Sequence, residues 1–382
     1  MTSTTADRPA RHDPVPSAAV WDLGVRVFHW SLVATVATAL FTGFLAPRWW
    51  LDIHVIAGTI VAMLLVFRLV WGFLGSTYAR FDSFLVSPFT ALKHAIALLR
   101  GKAAHHTGHN PVGTMMIVTL LLVLFTLTLT GTISLGGTLK DGPLAPTTSY
   151  AAGTAAGGIH ALLAWILLAL IAGHVTGVII DSLRTRENLV RAMVTGRKRA
   201  HPDRVPQVPA KPIRATITLA GLAAVLVPGV LVPSFMPVPG VPTAPLDSVY
   251  MKECSACHSP HHPSLATAAV WSKILDRLAD HFGDNATLEP AQVEHLRAYL
   301  TANSASAWDT KAAYVVGYPG TTSSLRITQS PGWKSIHRDI QDAAFTSKAV
   351  NGKLNCAACH ADSNLGQFKP RAIAFPSERK LP

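Results

Sequence analysis

Five apolar runs, at about 27–46, 53–75, 112–134, 157–181 and 215–236, dominate the first two thirds of the chain. Each approaches the roughly 20 residues that a helix needs to cross hydrocarbon, so the pattern predicts five spanning helices. Between the second and third runs, residues 84–99 are apolar with Lys93 and Arg100 at the polar end, which predicts a helix lying in the inner interface. Pro228 and Pro233 predict a kink in the fifth span. Past Met236 the pattern changes. Pro237, Pro239, Pro242 and Pro245 make a semi-rigid spacer, and shorter helical patterns follow at about 266–282 and 290–302. The expected fold class is all-α: a transmembrane four-helix bundle, a fifth anchor helix and a small, mostly helical domain. The expected boundaries are a tail at 1–26, the bundle at 27–198, a basic loop and fifth helix at 199–236, a linker at 237–247 and the small domain at 248–382.

The composition agrees with a membrane home: 49% of the 382 residues are hydrophobic and only 14% charged. Most of the net charge of +12 lies in the apolar part. Residues 1–244 hold 19 Lys and Arg against 9 Asp and Glu, whereas residues 245–382 hold 14 against 12. A nucleic-acid footprint would concentrate positive charge on the soluble part, so nucleic acid is not an expected partner. Residues 1–26 lack the apolar core of a cleaved signal, which leaves insertion to the first run. With the N-terminus in the cytoplasm, the inner segments carry 16 Lys and Arg and the outer loops only Arg48 and Lys140. Five spans then put everything after Met236 in the periplasm of a bacterial inner-membrane protein.

All four cysteines fall in two copies of one motif, Cys254-Ser255-Ala256-Cys257-His258 and Cys356-Ala357-Ala358-Cys359-His360. Two thiols at this spacing can form thioethers to the vinyl groups of one porphyrin, with the adjacent imidazole as axial ligand, so the motif predicts two covalent haems c. A zinc site or dithiol centre does not require histidine after the second cysteine in both copies. For the sixth ligands, Met251 is the lone methionine after residue 236, which leaves His261, His262, His281, His295 and His337. We favour His281 and His337, with their pairing to the two motifs open, and expect His261, His262 and His295 to be solvated surface residues.

Four further histidines lie in or at the ends of spans: His29, His54, His160 and His174. An ionisable side chain there carries a functional expectation. His160 and His174 are 14 residues apart, close to four turns, so they share one helix face about 21 Å apart along the axis. By depth, His29 pairs with His174 and His54 with His160, each pair able to clamp a haem b between two helices. Arg68, 14 residues after His54, lies near the inner pair, where it meets a haem propionate or snorkels to the interface. Thr42-Gly43 and Thr130-Gly131 offer close approach for a flat macrocycle or for a neighbouring helix. His94, His105, His106 and His109 are expected to be solvated.

Residues 20–198 resemble the bacterial cytochrome b561 family, including the cytochrome b subunits of nickel-iron hydrogenases. The resemblance lies in Val20-Trp21-Asp22-Leu23, Val27-Phe28-His29-Trp30, Phe67-Arg68-Leu69-Val70-Trp71-Gly72-Phe73 and Gly108-His109-Asn110-Pro111-Val112-Gly113. It implies a four-helix bundle with two haems b, ligated at positions matching His29, His54, His160 and His174, exchanging electrons with quinone or a periplasmic partner. Residues 248–370 resemble the periplasmic dihaem cytochrome c family through Tyr250-Met251-Lys252-Glu253-Cys254, Trp271-Ser272-Lys273-Ile274-Leu275, His281-Phe282-Gly283-Asp284-Asn285-Ala286 and Asn355-Cys356-Ala357-Ala358-Cys359-His360-Ala361.

The function expected from these readings is an electron wire. Two haems b and two haems c link the quinone pool with a soluble periplasmic cytochrome or redox enzyme, primarily as an electron carrier, with quinol oxidoreductase activity left open. Two alternatives stand beside it: entry of electrons from a periplasmic dehydrogenase, hydrogenase or superoxide toward quinone, and a gas-binding or peroxidase domain with one open iron. Membrane lipid surrounds the spans, and a homodimer is left open. Trp21, Asp22 and Arg26, or Trp49 and Trp50, could border a quinone, although aromatic residues at both interfaces are ordinary anchors, the reading we prefer.

Overall fold

The structure is a computed structural model that describes residues 17–47, 50–100, 102, 108, 110–199, 208–242, 246–318 and 325–375. The helices run α1 (Leu23–Phe44), α2 (Leu51–Leu74), α3 (Phe81–Phe84), α4 (Pro88–Leu99), α5 (Pro111–Leu139), α6 (Tyr150–Thr185), α7 (Leu189–Thr195) and α8 (Pro212–Ser234). The shorter helices α9 (Ser248–Cys254), α10 (Ala268–Leu275), α11 (Pro290–Ala302), α12 (Pro331–Ile336) and α13 (Asp342–Thr346) follow. Among the described residues five helices, α1, α2, α5, α6 and α8, are long and apolar enough to cross a membrane, as the hydrophobic pattern predicts. Their ends differ from the apolar runs. The fourth helix begins at Tyr150, seven residues before the run at 157; the intervening residues include four alanines, which favour helix without being strongly apolar. The interfacial segment forms α4, opened by Ser87, whose hydroxyl accepts the Thr90 amide. α8 runs through both Pro228 and Pro233 as one helix.

One compact unit comprises residues 1–45, 53–128 and 161–225. Its apolar centre is Val36 of α1, Val61 of α2, Leu124 and Leu127 of α5 and Leu167 of α6, while Leu162, Trp165 and Ile179 lie exposed on the outside. Against lipid such exposure costs nothing, so interdigitation rather than water exclusion holds the helices together. Asp22 closes one end of this unit. It caps α1 through the Val25 amide at 2.8 Å and accepts from Trp71 Nε1 at 3.1 Å and the Ser76 hydroxyl at 2.6 Å. Beside it, Trp21 is buried with Val20, Tyr78 and Ala192, and strand β1 (Ser17–Ala19) pairs antiparallel with β2 (Arg197–Arg199). Trp21 and Asp22 thus help close this end of the unit; Trp49, like His105, His106 and His109, lies outside the described residues.

The second unit comprises residues 46–52, 129–160 and 226–382. Its main core gathers Tyr250 of α9, Val270, Trp271 and Leu275 of α10, Leu296 and Leu300 of α11, with Val316 and Ile327. Thr267 caps α10 and a Glu289–Gln292 capping box opens α11, which matches its expected span of 290–302. The pattern at 266–282 does not stay helical. α10 stops at Leu275, and Phe282 (φ 61°) and Gly283 (φ 107°) turn the chain so that His281 bridges to Asp284. The proline spacer also departs from a bare rod: Val241 is buried against Ala305, Trp308 and Ala313, and the Gly240 carbonyl accepts the Asp309 amide at 2.7 Å.

Candidate functional site

The two cysteine motifs sit in short turns, the first leaving the end of α9 and the second in a single helical turn at 356–358. Burial pushes the Cys254 and Cys356 thiols up to about 11, which keeps them protonated instead of poised as metal-binding thiolates. Across the first motif, the His258 ring faces His281 with centroids 6.4 Å apart and planes at 15°. Across the second, His360 faces His337 at 6.2 Å with planes at 84°. Two imidazoles on opposite sides of one metal ion, each nitrogen at about 2 Å, need centroids roughly 6 Å apart. Both pairs meet that spacing.

The ring nitrogens are arranged to match. Nδ1 of His258 donates to the Ser259 carbonyl at 2.8 Å, and Nδ1 of His337 to the Trp333 carbonyl at 2.9 Å, which leaves each Nε2 as the nitrogen with a lone pair to offer a metal ion. Nδ1 of His360 is buried without a hydrogen-bond partner. Among the described residues no three histidine, cysteine or acidic side chains converge as a cage, so donors come in opposed pairs, which suits a haem better than zinc. The two motifs also touch: Ser259 Oγ bonds Asn355 Oδ1 at 3.1 Å, and Cys356 Sγ lies 3.9 Å from His261 Nδ1.

Of the other histidines, His295 is half exposed and pairs with Asp247. His262 corrects the expectation of a solvated side chain. It is 5% exposed, bonded through Nδ1 to Ser264 Oγ at 2.8 Å, packed edge-on against Trp308 and lodged in the notch left by Gly366. Gly366 sits at φ 66°, and a Cβ there would fall 2.4 Å from the ring. His261 likewise packs against His258, 5.4 Å between centroids, instead of standing in solvent.

In the spans, all four histidines are half-buried. His29 lies within electrostatic range of His174, and its buried Nδ1 has no hydrogen-bond partner. His54 Nδ1 meets the Ala39 carbonyl at 3.0 Å and Thr42 Oγ1 at 3.1 Å, a partner set that directs Nε2 to a ligand. His160 repeats the arrangement with Thr130 Oγ1 at 3.4 Å. The glycine after each threonine touches the same ring: a Cβ on Gly43 would lie 3.3 Å from His54 Cε1, and one on Gly131 3.1 Å from His160 Cε1. The Thr-Gly pairs thus seat histidine rings, a role that their spacing alone could not distinguish from contact with a macrocycle. Arg68 is 6% exposed, donates to the Ala79 carbonyl at 3.1 Å and stacks over Phe81. Arg26 donates to the Val194 carbonyl at 2.7 Å. These orphaned and pre-oriented imidazole nitrogens fit haem.

Comparison with known proteins agrees. Residues 20–196 match the family described as prokaryotic cytochrome b561, and residues 250–368 match the family described as dihaem cytochrome c. Among solved structures, a dihaem cytochrome c from Rhodobacter sphaeroides is 31% identical, over 32% of this chain and 95% of that one, with a TM-score of 0.28. A dihaem cytochrome c from Shewanella baltica is 24% identical, over 35% of this chain and 96% of that one, with a TM-score of 0.29. No curated protein matches.

Proposed function

We propose that this chain, which is a prokaryotic cytochrome b561 domain joined to a dihaem cytochrome c domain, carries electrons across a bacterial inner membrane between the quinone pool and a soluble periplasmic redox partner. Bound haem supplies one-electron iron chemistry. His29 with His174, and His54 with His160 by their depth along the spans, would hold two haems b, and Arg68 would offer a positive charge to a propionate of the inner one. Cys254 and Cys257 would fasten one haem c, with His258 and His281 offering nitrogens to its iron; Cys356 and Cys359 would fasten the other, with His360 and His337.

The observation that carries this reading is the opposition of a second imidazole to each motif histidine, at 6.4 and 6.2 Å. An iron held by two protein nitrogens would exchange electrons with no open position, so that a gas or peroxide would first have to displace a protein nitrogen. That favours a wire over a sensor or peroxidase. The distribution of Lys and Arg supports a cytoplasmic N-terminus and a periplasmic haem c domain. The direction of flow follows the potentials of the two partners. The test is haem content together with carbon monoxide binding on the purified, reduced protein. The expected result is equal amounts of haem b and haem c and no change in the haem c bands under carbon monoxide. A haem c that binds the gas stoichiometrically overturns the wire reading.

A further inference from the structure

Residues 129–160 and 226–382 belong to one compact unit, so contacts inside it join the outer ends of α5 and α6 to the haem c domain. Lys140, between those helices, has a side chain only 4% exposed; its ammonium pairs with Asp309 and donates to the Thr148 carbonyl at 3.0 Å. The same Asp309 carboxylate accepts the Tyr150 amide at 3.0 Å and so caps the first turn of α6. Tyr150 stacks on Tyr314, with centroids 4.6 Å apart. Nearby, Leu51, Leu135, Leu139 and Asp141 line a cleft with Lys369 and Pro370. A buried ammonium without its carboxylate would be an uncompensated charge, so this junction is specific and not an accidental touch.

The junction residues belong to the elements that build the second cysteine motif. Lys369 follows Phe368, whose ring lies 5.3 Å from His360. Tyr314 sits in the helical turn at 313–317, on which α12 packs so closely that a Cβ on Gly332 would lie 1.6 Å from the Val315 carbonyl; His337 is the residue that caps the end of α12. The first motif reaches the junction less directly, through His262 against Trp308. We propose that the second motif, although farther from the membrane along the chain, is the one that exchanges electrons with the membrane domain. The Lys140–Asp309 pair holds it there, and the first motif serves the soluble partner. The step is a single-electron exchange: a ferrous iron of the membrane domain is oxidised, a ferric c-type iron is reduced, and no bond is made or broken. The contact between Asn355-Cys356 and Ser259–His261 passes the electron onward. This inference rests on the electron-transfer reading above.

Two measurements on the full, haem-loaded chain test it. Zero-length carbodiimide coupling followed by peptide mapping is expected to join Lys369 to Asp141. A chain that passes electrons from haem b to haem c, yet couples Lys369 to no carboxylate in 129–160, overturns the placement. In stopped-flow reduction, Asp309→Asn is expected to slow haem b to haem c transfer at least tenfold, and the swapped pair Lys140→Asp with Asp309→Lys to recover most of that rate. Unchanged transfer in Asp309→Asn overturns the role of the pair. Wild-type protein whose reduced haem b never reduces haem c defeats the electron-transfer reading itself, whatever the coupling shows.

Discussion

At the scale of single residues, the histidines divide by what their second nitrogen does. His54, His160, His258 and His337 have Nδ1 committed to an oxygen at 2.8–3.4 Å, and such an outer partner fixes both tautomer and ring direction. His262 has its Nδ1 on Ser264 and its ring walled in by Trp308 and Gly366, so it is a core residue. Burial holds its imidazole down at about 4, against an ordinary value of 6.5. Between those two values the unfolded chain binds more protons than the folded one, so stability is full above pH 6.5 and falls as pH drops toward 4. The loss amounts to about 3 kcal/mol. Thermal melts of the whole protein should therefore show a lower midpoint at pH 4.5 than at pH 7, and His262→Gln should flatten that slope; an equal slope in both would contradict this account. The two cysteine motifs were legible in the sequence because their chemistry lies in five consecutive residues. The burial of His262 was not, because Trp308 and Gly366 meet it from more than 40 positions away.

At the scale of elements, the long helices were legible from hydropathy because lipid imposes one simple requirement on their surfaces. Their ends were not. α6 starts at Tyr150 because Asp309, 159 residues later, caps it, and no local pattern reports that. The expected helix at 266–282 failed for a similar reason: the turn at Phe282 and Gly283 that presents His281 outweighs helical periodicity. α12 shows how tightly an element can fix a side chain. It lies on the Val315 carbonyl with room only for a hydrogen at Gly332, so Gly332→Ala must push the helix and His337 outward. Overpacking of this kind costs about 1–3 kcal/mol. The Gly332→Ala protein should fold with both haems c attached, and one of them should bind carbon monoxide in the reduced state. A Gly332→Ala protein as unreactive as wild type would detach His337 from the second site.

At the scale of the whole molecule, a membrane cytochrome domain and a dihaem domain share one chain, and the covalent join keeps the second at high effective concentration near the first. The Val238–Val241 turn packed on Trp308 shortens the free part of that join. The domain order was open to sequence reasoning; which histidine faces which motif was not, and neither was the junction, because Lys140 and Asp309 lie 169 residues apart and each looks like an ordinary surface charge. The most direct test of the central claim is anaerobic mixing of the purified protein with a quinol, following the haem b and haem c absorption bands separately in time. Reduction of haem b followed by reduction of haem c is the predicted result. Haem c that exchanges electrons only with soluble redox proteins, while haem b stays unchanged by quinol, would contradict it.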